Sequence, residues 1–179
     1  MLFAEIETER LFLKNISPND REFIFNHFSN EYINRYLFDQ EPVTDLNGAD
    51  DIIFFYTKPE PRHEHRWILN LKQDAQKIGT CGFHFWNPNE GTVEVGYDLL
   101  EQYTGQGYMN EALKAIIEFA KTRMNIRVIN ACIYTENKKS INLATRNGFV
   151  LTGATDISEF RGEKYLHNIY SLVIKNELS

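Results

Sequence analysis

The stretch Gln102-Tyr103-Thr104-Gly105-Gln106-Gly107-Tyr108 is the first part of the chain whose residue types suggest chemistry. Glycines at 105 and 107 can take positive φ and let a ligand approach bare backbone. If a helix opens just after them, its unpaired N–H groups join theirs in a cradle for phosphate. A plain strand-to-helix turn reads the same way from the glycines alone, because G-x-G is common. Two other phosphate-binding patterns fail here. A P-loop needs Lys-Ser/Thr after its last glycine, and Gly107 is followed by Tyr108-Met109. A dinucleotide turn needs a third glycine where Asn110 stands, and an acid about 20 residues on, where the chain reads Ile126-Arg127-Val128.

Other candidate groups carry less. His63-Glu64-His65, with Cys81 or His84, matches no zinc signature, and no metal is expected. Cys81 and His84 fall on opposite faces of a strand, which is wrong for a thiol and its base. Cys81 and Cys132 both lie in apolar strand-like runs and read as buried free thiols. That fits a cytoplasmic address, as does a start, Met1-Leu2-Phe3-Ala4-Glu5, unlike a signal peptide. No basic stripe points to nucleic acid. No apolar run nears the roughly 18 residues of a membrane span.

The elements that position the glycine loop are legible from periodicity. Thr92 to Leu99 alternates, with Val93, Val95, Tyr97 and Leu99 on one side, and leads into the loop. Met109, Ala112, Leu113, Ile116, Ala120 and Met124 recur at helical spacing after it, with Asn110, Glu111, Lys114, Glu118 and Lys121 on the other face. Upstream, Arg10–Lys14, His65–Lys72 and Lys77–Trp86 read as strands, the last two forming an antiparallel meander with 92–99. Ser17-Pro18-Asn19-Asp20 signals a helix start, with Phe23, Ile24 and Phe28 facing inward, and a second helix is expected from Asp45 to Tyr56. Downstream come a strand over 127–134, a short helix over 138–146 closed by Asn147-Gly148, and strands over 149–156 and 165–174 joined at Arg161-Gly162-Glu163. The chain has 179 residues, a net charge of −6 and 13% aromatics, which suits one domain over residues 1–179 and excludes disorder. The fold class is mixed α/β (α+β): one twisted, mostly antiparallel central sheet of about six or seven strands, flanked by about four helices.

The loop Gln102-x-x-Gly105-x-Gly107 resembles the pyrophosphate loop of the GNAT family of acyl-CoA N-acetyltransferases. So does the run through Met109-Asn110-Glu111-Ala112. Asn137-x-x-Ser140-x-x-Leu143 followed by Asn147-Gly148-Phe149, the opening Thr8-Glu9-Arg10-Leu11-Phe12-Leu13, and Ile78-Gly79-Thr80-Cys81-Gly82 match further family segments. Arg146 to Gly153 and Glu159-Phe160-Arg161-Gly162 look most like the RimJ/RimL branch, which acetylates N-termini of ribosomal proteins.

The resemblance implies a GNAT fold and transfer of an acetyl group from acetyl-CoA to a primary amine by direct attack in a ternary complex. A fold that binds acyl-CoA with little or no turnover is the alternative. The pantetheine arm would lie against Tyr97-Asp98-Leu99, with the Leu99 N–H or its neighbour at the thioester oxygen. Gln102, Gly105, Gln106, Gly107, Tyr108 and Met109 would hold the pyrophosphate, and Asn137 and Ser140 would flank the sulfur. Glu159 is expected as general base, with burial raising its pKa; Glu94 is the second candidate. Many members carry a tyrosine general acid one place after Leu143, where this chain has Ala144. Ser140 is the acid expected instead, or else a helix cap or CoA contact. The acceptor groove is expected at 32–40, the Pro59 loop and the last hairpin, with surplus acids at its mouth to draw in a cationic amine. A protein N-terminus, an amino acid or a small amine would serve as acceptor. A homodimer is left open.

Overall fold

A computed structural model describes residues 3–174. Eight strands form one sheet in the order β1-β2-β3-β4-β5-β6-β8-β7. They are β1 (Ile6–Glu7), β2 (Leu11–Asn15), β3 (His65–Leu71), β4 (Lys77–Asn87), β5 (Thr92–Leu99), β6 (Val128–Tyr134), β7 (Val150–Phe160) and β8 (Glu163–Val173). Five α-helices flank it: α1 (Arg21–Phe28), α2 (Glu31–Asn34), α3 (Leu46–Thr57), α4 (Tyr108–Arg123) and α5 (Lys138–Arg146). The sheet thus has slightly more strands than expected, because the two-residue β1 is too short to show any alternation.

Ser17 and Asp20 form a capping box where the sequence signals a helix start. The Asp20 carboxylate accepts from the Ser17 amide at 2.8 Å and from its hydroxyl at 2.7 Å. These bonds close a 3-10 turn over Pro18–Asp20, so α1 itself begins only at Arg21. Asp45 caps α3 by accepting from the amides of Asn47 and Gly48. The β7–β8 hairpin turns on Arg161 (φ 52°) and Gly162 (φ 82°), two positive-φ residues of the kind that match strand twist.

The sheet buries a cluster on each face. Against α4 lie Leu11, Leu13, Trp67, Leu69, Phe83, Val93, Val95 and Ile129, with Leu113 and Ile116 of the helix packed onto them. The other face packs Ile68 against Ile24, Phe28, Ile33 and Ile53 of α1, α2 and α3.

One feature of the topology creates a gap. Every neighbouring pair is antiparallel except β5 and β6, which run parallel and pair only through Thr92–Glu94 with Val128–Asn130. Beyond Glu94, β5 keeps its register with β4 as far as Leu99, while β6 follows β8 to Tyr134. The two strands therefore splay, and the edge of Val95–Leu99 that faces β6 has no strand beside it. α4 starts near the wide end of this wedge.

Candidate active site

The loop at the wedge has the conformation its glycines allow. Gly105 has φ 77° and Gly107, the residue that begins α4, has φ 84°. A β-carbon on Gly105 would meet nothing within 4 Å, so its dihedral alone selects glycine there. The Gln106 side chain donates to the Gln102 carbonyl at 2.8 Å and braces the loop. The loop and the first turn of α4 present backbone N–H groups without intrahelical partners. Together with the unpaired edge of β5, this suits a long donor with a polar arm and a diphosphate, which is what coenzyme A offers.

Across the wedge, Asn137 caps α5 by accepting from the Ser140 amide at 3.1 Å. The Ser140 hydroxyl lies 2.9 Å from the Tyr97 hydroxyl. Burial pushes the Tyr97 phenol up to about 12, partly offset by the Ser140 hydrogen bond, so it stays protonated at neutral pH. Lys139 donates to the Tyr32 hydroxyl at 2.9 Å and ties α5 to α2.

Glu94 and Glu159 stand in different surroundings. By register, Glu94 shares a sheet face with Asn130, Cys132, Tyr134, His167 and Asp156. Burial raises its carboxyl to about 7, helped by the negative charges of Asp156 and Asp39. The same surroundings push the Cys132 thiol up to about 12, burial first and then these three carboxylates. Glu159 pairs across the hairpin with Lys164, one position off the alternation that carries Asp156, Ser158 and Phe160. It is exposed, which corrects the expected burial of its carboxylate.

On the sheet face that carries Glu94, further along β6 and β8, is a group of rings from separate parts of the chain. Phe38 stacks on Tyr165 at 3.7 Å and meets Tyr134 edge-on at 4.9 Å. Tyr36 lies 5.8 Å from Tyr134. The segment after α2 is also fixed to the hairpin tip by the Arg161–Glu41 ion pair, which holds Glu41 below the ordinary carboxylate range. Residues 36–41 thus face the last hairpin. Among the candidates, the structure brings Tyr97 to Ser140 and Glu94 to the wedge, and leaves Glu159 apart.

Sequence reasoning missed several groups. Asp98, near the end of β5, is largely but not fully buried. It accepts from Arg66 at 2.8 Å and from the Thr80 hydroxyl at 2.8 Å, and it pairs with His27 of α1. Burial alone would raise its pKa, but His27, Arg66 and Thr80 hold it near 2. His84, hydrogen-bonded to Tyr56 at 2.6 Å, is pushed down to about 3 by burial and by Arg66. His65, stacked on Phe3 at 4.3 Å, falls to about 3 through burial and Arg62. These histidines serve packing, and among the described residues no His, Cys, Asp and Glu form a metal-binding group. Asp39 and Asp156 were missed too: the β7–β8 register brings Asp156 to the Glu94 face, and Asp39 comes from the segment after α2.

A splayed parallel pair followed by a glycine loop at a helix start defines an acyl-CoA-binding architecture. The chain belongs to the GNAT family: residues 10–150 match the family described as acetyltransferase (GNAT) domain. It is 28% identical over 178 residues to an uncharacterized N-acetyltransferase, YoaA, of Bacillus subtilis, covering 98% of this chain and 100% of that one. It is 34% identical over 114 residues to the ribosomal-protein-serine acetyltransferase of Escherichia coli, covering 63% of each chain. Two solved structures share the fold. One is RimL, the ribosomal L7/L12 alpha-N-protein acetyltransferase, in complex with coenzyme A (TM-score 0.83, 21% identity, 96% of this chain and 98% of that one). The other is spermidine N-acetyltransferase from Vibrio cholerae with CoA and spermine (TM-score 0.80, 20% identity, 92% and 95%). The chain is an acetyl-CoA-dependent acyltransferase of this family, and these relatives support a likeness to the RimJ/RimL branch.

Proposed function

We propose that the protein acetylates a cationic primary amine, which enters on the Glu94 face of the wedge and attacks the thioester directly. Acetyl-CoA supplies the activated acetyl group; the residues of the chain orient it and move protons. The Gly105–Tyr108 amides would hold the diphosphate, and the open edge of β5 the pantetheine arm. The Leu99 N–H would stabilise the developing oxyanion.

An ammonium has no lone pair, so the acceptor must lose a proton before it attacks. An α-amine titrates near 8 and a lysine near 10.4. Glu94, at about 7, is matched to that task and replaces Glu159 as the base we propose. The leaving thiolate needs a proton. The Ser140 hydroxyl would supply it, with Tyr97 at 2.9 Å as the stronger acid behind it. This pair takes the place of the tyrosine that Ala144 lacks.

The observation that carries the reading is that Glu94 and Asp156 share one sheet face, where the charges of Asp156 and Asp39 both act on Glu94. Their charge favours a cation, and the rings of Phe38, Tyr134 and Tyr165 further along that face can pack its apolar parts. The relatives' own acceptors, ribosomal-protein N-termini and spermidine, are both cationic amines. The test is a thiol-release screen with acetyl-CoA against N-terminal peptides, free amino acids, polyamines and aminoglycosides. A cationic amine should be turned over fastest. Turnover only of neutral or anionic acceptors would refute the reading, and release with no acceptor class would favour a CoA-binding module.

A further inference from the structure

The geometry points to Arg10 as a positioning residue for the donor, one that aims the backbone amides of the glycine loop and masks an acid beside them. This rests on the reading of Gly105–Gly107 as the diphosphate site.

Arg10 lies just before β2, far from the loop in sequence. Its Nη1 donates to the Gln106 carbonyl at 2.9 Å. In a trans peptide the C=O and the next N–H point in opposite directions. Holding the Gln106 carbonyl toward Arg10 therefore turns the Gly107 N–H away from Arg10 and fixes its direction. The guanidinium carbon also sits 4.5 Å from the centre of the Tyr108 ring. A β-carbon on Gly107 would lie 3.3 Å from Arg10 Nη2, so this contact adds to the positive φ in selecting glycine.

The arginine is held in turn. Its Nε donates to Glu111 Oε2 at 2.7 Å, and its backbone N–H to Glu111 Oε1 at 2.7 Å. The Thr8 hydroxyl donates to the same Oε1 at 2.6 Å. Partial burial raises the Glu111 carboxyl, but these hydrogen bonds outweigh it and keep the group below its ordinary range. Glu111 is thus a fixed anion in the first turn of α4, close to where a diphosphate would bind. Alone it would repel that ligand. Arg10 cancels the charge and still has a second nitrogen for the loop carbonyl, a fork that lysine lacks.

The probes are acetyl-CoA and acetyl-pantetheine, which share the thioester but not the diphosphate. Binding is measured by calorimetry for the first and by NMR titration for the second. Arg10→Met should weaken acetyl-CoA about tenfold, the usual scale for losing a charged hydrogen bond. Acetyl-pantetheine affinity should not change. Adding Glu111→Gln to Arg10→Met should restore part of the acetyl-CoA affinity by removing the unmasked charge. Equal loss of both donors would mean that Arg10 only stabilises the fold and would overturn the proposal. So would unchanged acetyl-CoA affinity, or further loss in the double variant. Gly107→Asp is the control for the loop. If it leaves the preference for acetyl-CoA over acetyl-pantetheine intact, the diphosphate reading fails, whatever Arg10 does.

Discussion

At the scale of single residues, Glu94 and Glu159 are two carboxylates whose roles are separated by their surroundings. Glu94 is partly buried near two other acids, and Glu159 is exposed at a hairpin tip. Glu94→Gln should lower kcat by about 100-fold or more, the usual range for a general base, with acetyl-CoA affinity kept. Glu159→Gln should stay within a few-fold of wild type. The reverse pattern in steady-state rates would return the role to Glu159. A base must be unprotonated to act, so wild-type kcat/KM should rise with pH and level off above an inflection near 7. A profile flat from pH 5.5 to 8 would exclude Glu94. The difference between the two acids was not legible in the sequence, because Glu159 falls between the strands expected at 149–156 and 165–174, while β7 in fact runs on to Phe160. Only the β7–β8 register, set by a turn at 161–162, puts Asp156 rather than Glu159 on the inner face.

At the scale of elements, the glycines do two kinds of work. Those at 105 and 107 serve dihedral and ligand, and their role could be read from the motif. At about 100 times its Kd, acetyl-CoA should add about 2.7 kcal/mol, some 5–10 °C in Tm for a chain of this size. Gly107→Asp should abolish that shift by setting a carboxylate against the diphosphate, and a full shift in the variant would place the donor elsewhere. Those in β4 are structural, and spacing could not show it. A β-carbon on Gly82 would come 2.1 Å from the His65 carbonyl oxygen, and one on Gly79 would come 2.4 Å from that of Asp98. Backbone cannot step aside as a side chain can. Gly82→Ala should therefore cost about 1–3 kcal/mol, at the upper end for overpacking, in chemical denaturation. The long amphipathic elements were read nearly to the residue, since α4 buries five of the six positions named from its period and the sixth, Met124, is buried just past its end. What periodicity could not reach were contacts between distant segments, such as Arg10 with the loop, Asp98 with α1, and Phe38 with Tyr165.

At the scale of the whole molecule, the net charge of −6 is not spread evenly in effect. The α4 start, with Glu111 masked by Arg10, favours an anion on one side of the wedge, and Asp39, Glu94 and Asp156 favour a cation on the other. This division has a cost in stability that pH should expose. Asp98 has its pKa lowered from 3.8 to about 2 on folding, so its contribution is complete above about pH 4 and lost as pH falls toward 2. Glu94 is shifted the other way, from 4.5 to about 7, so the folded state holds its proton longer than the unfolded chain does. That linkage lowers stability as pH rises from about 4.5 to 7, after which the loss is complete. The Tm should therefore peak on the acid side of neutrality, near pH 5. Glu94→Gln should flatten the fall between pH 5 and 8, raising Tm at pH 8 by a few degrees while leaving pH 4 unchanged. Asp98→Ala should act at every pH above 4, because it leaves Arg66 buried without its carboxylate, a loss of about 3–5 kcal/mol. A Glu94→Gln variant less stable than wild type at pH 8 would show that this acid supports the fold rather than straining it for the acceptor.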